Sequence, residues 1–575
     1  MNGFVLYMNL KSSNIFKGEK DVMTVHGSNW EIEYKKLSKF EDDKILFKYN
    51  NKYFLLDGVL LNKNKLLNKY NKENLEELLI YLHENNANFY NEFRGQFRGF
   101  IFDTKELVVE AYTNHTGEKA IFYYQNENSF ILSSKMSYIY EVLKGDMQRT
   151  LTYNSLALHD LITNGFLMQT DTIFNEIYRI GAGQTILLKN NIITGKYYYK
   201  FTNVPEIDLT EDEILKKLDT LFVQAVKRVF DKNLEYNYNH IADISGGIDS
   251  RMINIVANEL KYKNITNISY CQSNMIDEKI AKKISKDLGN KFVFYAMDKA
   301  EFIYDIDELV KKFDGQELYY VSTGSTKVFN ELHKNIGISA MGLLGEILKG
   351  EFVQYDYHIK PTSENIYFRA SKTLNLVGER REYNYYENLE MYNLYNYGFN
   401  YILSSCRSRQ DDTECGTPFL DVDFCEFCLK IPIELRKNFY IYKRWILQYH
   451  NKAAKYVWQT TMKPLDKKIY YLDIYYKIKK RFNYVANNIF KKLKLNYRFI
   501  NKNEMNPFDY WITTNKNIYN FIYKYYNENI KFVKDDILKV NIEKMMASNR
   551  NVDKLIVINL LATLKTYYVN STGQS

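Results

Sequence analysis

The chain has little proline and cysteine and no long apolar run. Six prolines and five cysteines stand among 575 residues, which include 52 tyrosines. An odd cysteine count without an export signal indicates reduced thiols, and no segment approaches the roughly 18 apolar residues of a membrane span. The start, Met1-Asn2-Gly3-Phe4, lacks the basic region and apolar core of a signal peptide. We therefore expect a cytoplasmic protein with no membrane partner.

The charge excess is also small. A net charge of +9 is far from that of a dedicated nucleic-acid binder, so no nucleic-acid partner is expected. It is compatible with anionic ligands such as nucleotides. The hydrophobic content of 46% is ordinary for a globular protein, and the length allows two or three domains.

The most informative segment is Ser245-Gly246-Gly247-Ile248-Asp249-Ser250. It follows a strand pattern over 238–244 and precedes a helical pattern over 249–261. In such a turn the glycines allow close backbone approach, the N–H groups converge, and the helix N-terminus favours anions. No Gly-Lys-Ser/Thr follows, so this is not a Walker loop. It resembles the pyrophosphatase loop of ATP pyrophosphatases; the alternative is a glycine-rich turn without a ligand.

The order of predicted elements indicates an α/β protein. Residues 1–205 are rich in strands, with a hairpin over 45–56 and a helix at Leu75–His83. From Thr210 onward strands and helices alternate, which predicts βαβ units and a parallel sheet whose ligand lies at the carboxyl ends of the strands. Beyond 465 the chain is helical, aromatic and basic. We predict three parts: 1–205, 206–465 and 466–575.

The order of motifs over about residues 1–465 resembles the asparagine synthetase family, which includes β-lactam synthetase and the lasso-peptide cyclases. Gly95–Asp103, Asn114–Lys119 and Ser133–Lys135 are similar to its glutaminase domain, and Asp57-Gly58 resembles part of its Asn-Gly-Glu-Ile-Tyr-Asn segment. The resemblance implies an N-terminal Ntn-type α/β sandwich, a C-terminal ATP-pyrophosphatase domain of the adenine nucleotide α-hydrolase type with a parallel sheet, and a helical C-terminal extension.

The glutaminase-like part departs from the family where its chemistry begins. Such a glutaminase needs a cysteine as residue 2, but Asn2 stands there and the first cysteine is Cys271. Val59 and Leu61 replace the Glu and Tyr of the Asn-Gly-Glu-Ile-Tyr-Asn segment. We expect no glutamine hydrolysis, and a role in scaffolding, partner contact or substrate docking.

The synthetase part keeps most of the family's residues. Ser245–Ser250 match the pyrophosphate loop, with Arg251 where many relatives have Ser, and Cys271 ends the strand on the adenine side. Asp277 is explained by its place at a helix N-terminus. The resemblance implies ATP contacts at these residues: Ile244, Ser245, Gly246, Gly247, Asp249, Ser250, Cys271 and Gly342.

A second loop, Gly342–Gly350, resembles the family's Gly-Glu-Gly-Ala-Asp-Glu-Leu-Phe-Gly. In that register Glu346 replaces the Asp that shares Mg²⁺ with the first loop, so the resemblance implies magnesium ligands at Asp249 and Glu346. Leu343 replaces the Glu that handles ammonia, or the Tyr of the β-lactam synthetase dyad, and cannot do acid–base work.

Pro418-Phe419-Leu420-Asp421 matches a further family motif, and Arg407 and Glu414 stand in family-like positions before it. Lys443 resembles the lysine that neutralises pyrophosphate and the acyl-transfer transition state. Its alternative is an ordinary surface lysine, with Lys463 a weaker second candidate. Catalytic roles are therefore predicted for Lys443 and Glu346.

The resemblance implies an ATP- and Mg²⁺-dependent amide ligase that forms an acyl-adenylate. Its substrates would be a carboxylate and an amine, small molecules or peptides, and a pathway protein or a second copy of the chain are further candidate partners. Glu379 and Glu382 are candidate bases for the amine. Three alternatives stay open: an amidotransferase fed with ammonia, from free solution or through a partner; a non-catalytic ATP-binding scaffold; and a nucleic-acid-modifying ATP pyrophosphatase.

Overall fold

The computed structural model describes the chain except residues 1, 11–13, 145–150, 206–207, 322–327, 330–331, 333–334, 354–356, 375–380, 469, 476, 479–480, 483–484, 486–503 and 569–575. Its described part contains two antiparallel sheets of six strands and one parallel sheet of five. None of the helices in that part has both the length and the apolar character that crossing a membrane requires.

The strands, β1 to β17 in chain order, span Gly3–Met8, Met23–His26, Trp30–Lys35, Ile45–Tyr49, Lys52–Leu60, Gly95–Asp103, Val108–Thr113, Phe122–Gln125, Phe130–Ser133, Ile177–Arg179, Gln184–Lys189, Ile192–Tyr197, Asn239–Asp243, Ile265–Cys271, Lys291–Ala296, Ile336–Ala340 and Cys415–Gly416.

The α-helices, α1 to α19, span Lys63–Tyr70, Leu75–Asn85, Met136–Lys144, Ser155–Thr163, Glu211–Glu235, Asp249–Glu259, Ile276–Leu288, Ile306–Lys312, Glu346–Lys349, Leu389–Asn393, Ser404–Arg407, Val422–Lys430, Ile433–Arg436, Tyr440–Tyr449, Asn451–Ala454, Phe508–Thr514, Lys516–Asn529, Asp536–Met546 and Asn551–Thr566. Leu394–Ile402 is a π-helical segment.

The N-terminal part is a sandwich of two sheets. Their strand orders are β10-β8-β9-β1-β3-β2 and β12-β11-β7-β6-β5-β4. Alternate residues of each strand face the space between the sheets, where Phe4, Ile32 and Phe100 are buried together. Helices α1 and α2 cover one outer face, and α3 and α4 cover the other. This layering confirms the predicted α/β sandwich.

The second part is built on a parallel sheet of order β15-β14-β13-β16-β17. Helix α5 leads into it and begins with a capping box, in which the Thr210 hydroxyl and the Glu213 carboxylate each accept a backbone N–H. Helices α5, α6 and α7 bury apolar side chains against the sheet. Strand β13 is central, and its carboxyl end leads directly into the Ser-Gly-Gly turn, so the predicted parallel sheet is confirmed.

The C-terminal helices pack against the N-terminal sandwich. Leu555 to Leu564 of α19 are almost fully buried in one core with strand β1 and helices α3 and α4. The indole N–H of Trp511 in α16 donates to the Gln272 side chain, just beyond β14 (2.9 Å). The sequence predicted these helices but not this packing. The two predicted boundaries, after residues 205 and 465, remain predictions.

Candidate active site

An ion pair between the buried Arg409 and the partly buried Asp243 supports the Ser-Gly-Gly turn. The two terminal nitrogens of Arg409 reach the two carboxylate oxygens of Asp243, the last residue of β13, at 2.7 and 2.8 Å. Arg409 also donates to the hydroxyl of Ser339 on the neighbouring β16. A two-pronged contact of this kind fixes direction as well as distance. The contact therefore fixes the position of the carboxyl end of β13, where the turn begins.

Within the turn, three backbone N–H groups already have acceptors. The amides of Ser245 and Gly247 donate to the hydroxyls of Ser250 and Ser245, both at 3.1 Å. The amide of Gly246 donates to the Asp277 carboxylate at 3.1 Å. Ser245, Gly247 and Asp249 are nevertheless partly exposed, while the residues between them are buried. A ligand can thus reach alternate positions of a turn whose shape is fixed in advance.

Asp277 has a role that its place at a helix start did not indicate. Asp277 lies in the first turn of α7, and its carboxylate accepts the Gly246 amide N–H. Burial raises the pKa of this carboxyl, and hydrogen bonding from Gly246 only partly offsets that. The interpretation as a helix-end charge alone was therefore incomplete.

Arg251 holds the turn from behind. Its side chain is fully buried and donates to the carbonyls of Gly246, Val457 and Tyr456 at 3.2, 2.6 and 3.1 Å. Burial lowers the pKa of Arg251 to about 10, so it stays charged at neutral pH. This arginine thus ties the turn to the backbone of residues 453–457.

The second loop lies directly against the first. A Cβ at Gly342 would come within 2.4 Å of the Ser250 amide nitrogen, and one at Gly345 within 2.4 to 2.6 Å of the three Asp249 carboxylate atoms. Only residues without a side chain let the loops approach this closely. The structure therefore brings Gly342 and Asp249 together, and their contacts with ATP stay a prediction.

The closest cation to Asp249 is Lys349. Its ammonium lies 2.6 Å from Asp249 Oδ2 and 3.9 Å from Glu346 Oε1. The Tyr442 hydroxyl donates to the other oxygen, Asp249 Oδ1, at 2.6 Å. Burial would lower the pKa of Lys349, but the two carboxylates outweigh it and raise that pKa.

As they stand, these residues do not fit a magnesium ion. Mg²⁺ needs about six oxygen ligands at roughly 2.0–2.1 Å. Both oxygens of Asp249 are instead bonded to protein donors, and an ammonium lies between the two carboxylates. The predicted ligand pair is thus brought together, but around a lysine rather than with space for a metal.

Lys443 shares the Phe439 ring with Lys349. Its ammonium donates to the Asn438 carbonyl at 3.1 Å and lies over the Phe439 ring. Burial, and then the charge of nearby Lys463, lower its pKa. The two predicted lysines are therefore near enough for their charges to interact, and their role with pyrophosphate stays a prediction.

The other predicted residues lie at strand ends, beside the second loop or outside the described part of the chain. Cys271 is buried at the end of β14, where burial raises its pKa to about 12 and its carbonyl accepts the Met297 amide (3.0 Å). Ile244 extends β13, its amide donating to the Ile268 carbonyl (2.9 Å). Leu343 is partly exposed beside Gly342. Glu379 and the side chain of Glu382 lie outside the described residues.

A cavity beside the N-terminal sandwich is also bordered by Arg407 and Glu414 of the second part. Asn2, Asp57, Arg98 and Ser134 line it. Arg98 pairs with Asp57 at 2.8 Å. Burial opposes ionisation of Asp57, but Arg98 and then Lys119 and Lys44 hold its pKa at about 2. The Ser134 hydroxyl is bonded to the Phe4 backbone. No thiol lines the described part of this cavity.

Sequence reasoning missed Lys349 and Tyr442. Lys349 follows the apolar Ile347 and Leu348, in the register where the motif quoted above has Phe. A lysine in place of that Phe was the available signal of a charged contact. Tyr442 precedes the lysine that drew attention. Contacts between separate loops cannot be seen in a single sequence.

Comparison with known proteins supports the family resemblance. Residues 49–199 match a family model described as a glutamine amidotransferase domain. A protein of Methanocaldococcus jannaschii named "Putative asparagine synthetase (glutamine-hydrolyzing) 2" is 22% identical over 225 residues, which are 37% of this chain and 42% of that protein. The match spans less than half of that relative's length.

Similarity to solved structures is weak. Glutamine phosphoribosylpyrophosphate amidotransferase from B. subtilis has 11% identity, covering 42% of this chain and 55% of its own, with a TM-score of 0.23. A structure described as an allosteric regulatory enzyme of purine biosynthesis is 9% identical. It covers 51% of this chain and 74% of its own, with a TM-score of 0.24. NMN synthetase from Francisella tularensis is 19% identical and covers 25% of this chain and 60% of its own, with a TM-score of 0.18. The fold assignment rests on the strand orders above.

Proposed function

The family match and the weak relative support assignment of this chain to the asparagine synthetase family, and on that premise we propose that it is an ATP-dependent amide ligase. A substrate carboxylate oxygen attacks the α-phosphorus of ATP, the bond to the bridging oxygen breaks, and pyrophosphate leaves. An amine then attacks the acyl carbon of the adenylate and releases AMP. The net reaction joins an acid to an amine and converts ATP to AMP and pyrophosphate.

The Ser-Gly-Gly turn is the part of the chain that would receive the phosphates. Its partly exposed positions, Ser245 and Gly247, lie just before the N-terminus of α6, where the helix dipole favours negative charge. The turn is braced by Arg251 and Asp277, so little reorganisation is needed when charge develops on the phosphate. This braced turn at the carboxyl end of a central parallel strand is the observation that carries the proposal.

We propose that the amine is a second substrate, or a group in the same molecule, rather than ammonia from glutamine. The cavity of the N-terminal sandwich contains the Asp57–Arg98 ion pair, and the chain has no cysteine before Cys271. Leu343 offers no acid–base group beside the second loop. The N-terminal sandwich would then serve as a support or docking domain.

Exchange of labelled pyrophosphate into ATP, with a panel of carboxylic acids, tests the proposal. One carboxylate should support exchange, and Gly247→Ala should lower it by about 100-fold, because the methyl group displaces the phosphate. Its Cβ would meet only the Ser245 hydroxyl, at 3.0 Å, so the fold should survive. Gly195→Ala is the matched control, since its Cβ meets nothing within 3.8 Å. ATP binding without exchange for any acid would contradict the proposal.

A second candidate is a nucleotide-binding scaffold without catalysis. It is favoured by the same contacts that complicate the ligase: the amides of Ser245, Gly246 and Gly247 have internal acceptors, and Asp249 is bonded to Lys349. Tight ATP binding, absence of exchange and no AMP formation would together favour this candidate.

A further inference from the structure

The surroundings of Lys349 form a complete site for a cation. The ammonium has Asp249 Oδ2 at 2.6 Å and Glu346 Oε1 at 3.9 Å, and the ring centres of Phe439 and Tyr442 at 5.9 and 6.0 Å. Carboxylates and aromatic faces are the groups that stabilise an ammonium away from water. The Lys349 side chain is only 8% exposed. This lysine is thus enclosed by groups that all favour its charge.

The loop backbone is adapted to the same arrangement. Gly345 leaves the space that the Asp249 carboxylate occupies, since a Cβ there would overlap all three of its atoms. Tyr442 holds the second oxygen of that carboxylate. Three features therefore fix the Asp249 carboxylate beside Lys349. The ammonium and the Tyr442 hydroxyl each donate to one of its oxygens, and Gly345 leaves room for it.

The lysine offsets part of the negative charge at this point. Asp249 and Glu346 contribute two negative charges in a partly enclosed space, and Glu351 lies near enough to interact with both Glu346 and Lys349. Two carboxylates without a cation would repel each other. A magnesium ion is one solution to that repulsion, and a buried ammonium is another.

We propose that Lys349 is the resident cation of this site and excludes a divalent metal from the Asp249–Glu346 pair. The inference rests on the proposed function, because it names the cation of the same nucleotide site. Lys349 forms no bond with substrate in this account. It is a positioning residue that holds Asp249 and supplies fixed positive charge beside the phosphate-binding turn.

Binding of Mn²⁺ to the full-length protein, counted by electron paramagnetic resonance without nucleotide, tests this inference. Wild type should bind no ion at the pair. Lys349→Met should bind about one more ion than wild type, because both carboxylates are freed for a metal. The double variant Lys349→Met/Glu346→Gln should lose that ion. Lys283→Met is the matched control, since it removes a lysine paired with Asp287 at 3.0 Å on the surface.

Two results would overturn the proposal. If wild type binds an ion that Glu346→Gln removes, the lysine moves aside for metal. If folded Lys349→Met gains no ion, the pair is not a metal site that a lysine fills. Should Lys349→Met fail to fold, as judged by circular dichroism, Lys349→Gln and the wild-type measurement decide the question.

The proposed function can fail separately. ATP binding by calorimetry on the same preparations tests it without reference to Mn²⁺. A wild type that binds no ATP would remove the nucleotide site, while the Mn²⁺ counts would still show whether Lys349 blocks a metal.

Discussion

At the scale of single residues, the close approach of the two loops depends on the missing side chains of Gly342 and Gly345. At Gly342 the nearest atoms to an added Cβ belong to the backbone of Ser250 and Asp249, whereas at Gly345 they belong to the Asp249 side chain. A side-chain tip can rotate away from a methyl group, but a helix backbone cannot move without disturbing its neighbours. The two positions therefore differ in what a substitution costs.

We expect Gly342→Ala to lower the free energy of unfolding by about 1–3 kcal/mol, because it overpacks the junction of the two loops. Gly345→Ala should cost less and act mainly by moving Asp249 away from Lys349. Urea unfolding followed by circular dichroism measures both, with Gly195→Ala as the control. Equal costs for Gly342→Ala and Gly195→Ala would show that the loops are not packed as described.

At the scale of elements, regular segments were predictable and contacts between them were not. The strand predicted over 238–244 is β13, Asn239–Asp243, and the helix predicted over 249–261 is α6, Asp249–Glu259. Apolar residues at regular spacing and the capping residue Thr210 are local signals of strands and helices, and both can be read from the sequence. The bond between Lys349 and Asp249 joins residues 100 positions apart, and no local pattern specifies it.

One junction of elements should give the protein a pH-dependent stability. His450 follows α14 and bonds to Asp219 of α5 and Glu259 of α6, both at 2.8 Å. Burial works against its charge, but Asp219 and then Glu259 raise the pKa of His450 to about 9. Because the folded pKa exceeds the unfolded value near 6.5, the stabilisation is complete below about pH 6.5 and is lost as pH rises through 9.

We expect this loss to be about 2–3 kcal/mol, allowing for solvent screening at Glu259, which is 40% exposed. Urea midpoints between pH 6 and 10 measure it in wild type and in His450→Gln. The variant should be less stable at pH 6 and should lose this part of the pH dependence. An unchanged slope in the variant would contradict the assignment.

At the scale of the whole molecule, a buried charge cluster joins the N-terminal sandwich to the parallel sheet. Glu414, next to β17, accepts from Lys119 at 2.8 Å and from Lys44 at 3.2 Å, and all three side chains are almost fully buried. Burial opposes ionisation of Glu414, but Lys119 and Lys44 lower its pKa. The stabilisation is therefore present above the unfolded pKa and lost as pH falls through the folded one.

Glu414→Gln should lower the free energy of unfolding by about 3–5 kcal/mol, because it leaves two buried ammonium groups without their shared partner. Thermal unfolding and limited proteolysis between the two parts measure this. Glu106→Gln is the matched control: its pair with Lys105 is 64% exposed on the Glu side, and the change should be within about 0.5 kcal/mol. Equal effects of the two variants would show that the cluster does not hold the parts together.

The C-terminal helices share a hydrophobic core with the N-terminal sandwich. The sequence predicted them as a helical extension because the family-like motifs end near residue 465. Their apolar faces are buried against the sandwich, and Trp511 reaches Gln272 near the predicted adenine side. Packing across more than 200 residues of sequence could not be predicted from periodicity alone.

The most direct test of the central claim is the transfer of oxygen from substrate to nucleotide. With the carboxylic acid that supports pyrophosphate exchange, labelled with ¹⁸O in its carboxylate, the AMP formed in turnover is analysed by ³¹P NMR. An acyl-adenylate predicts one ¹⁸O in the AMP phosphate, because the carboxylate oxygen bonded to phosphorus stays there when the amine attacks the acyl carbon. AMP without the label would contradict this chemistry.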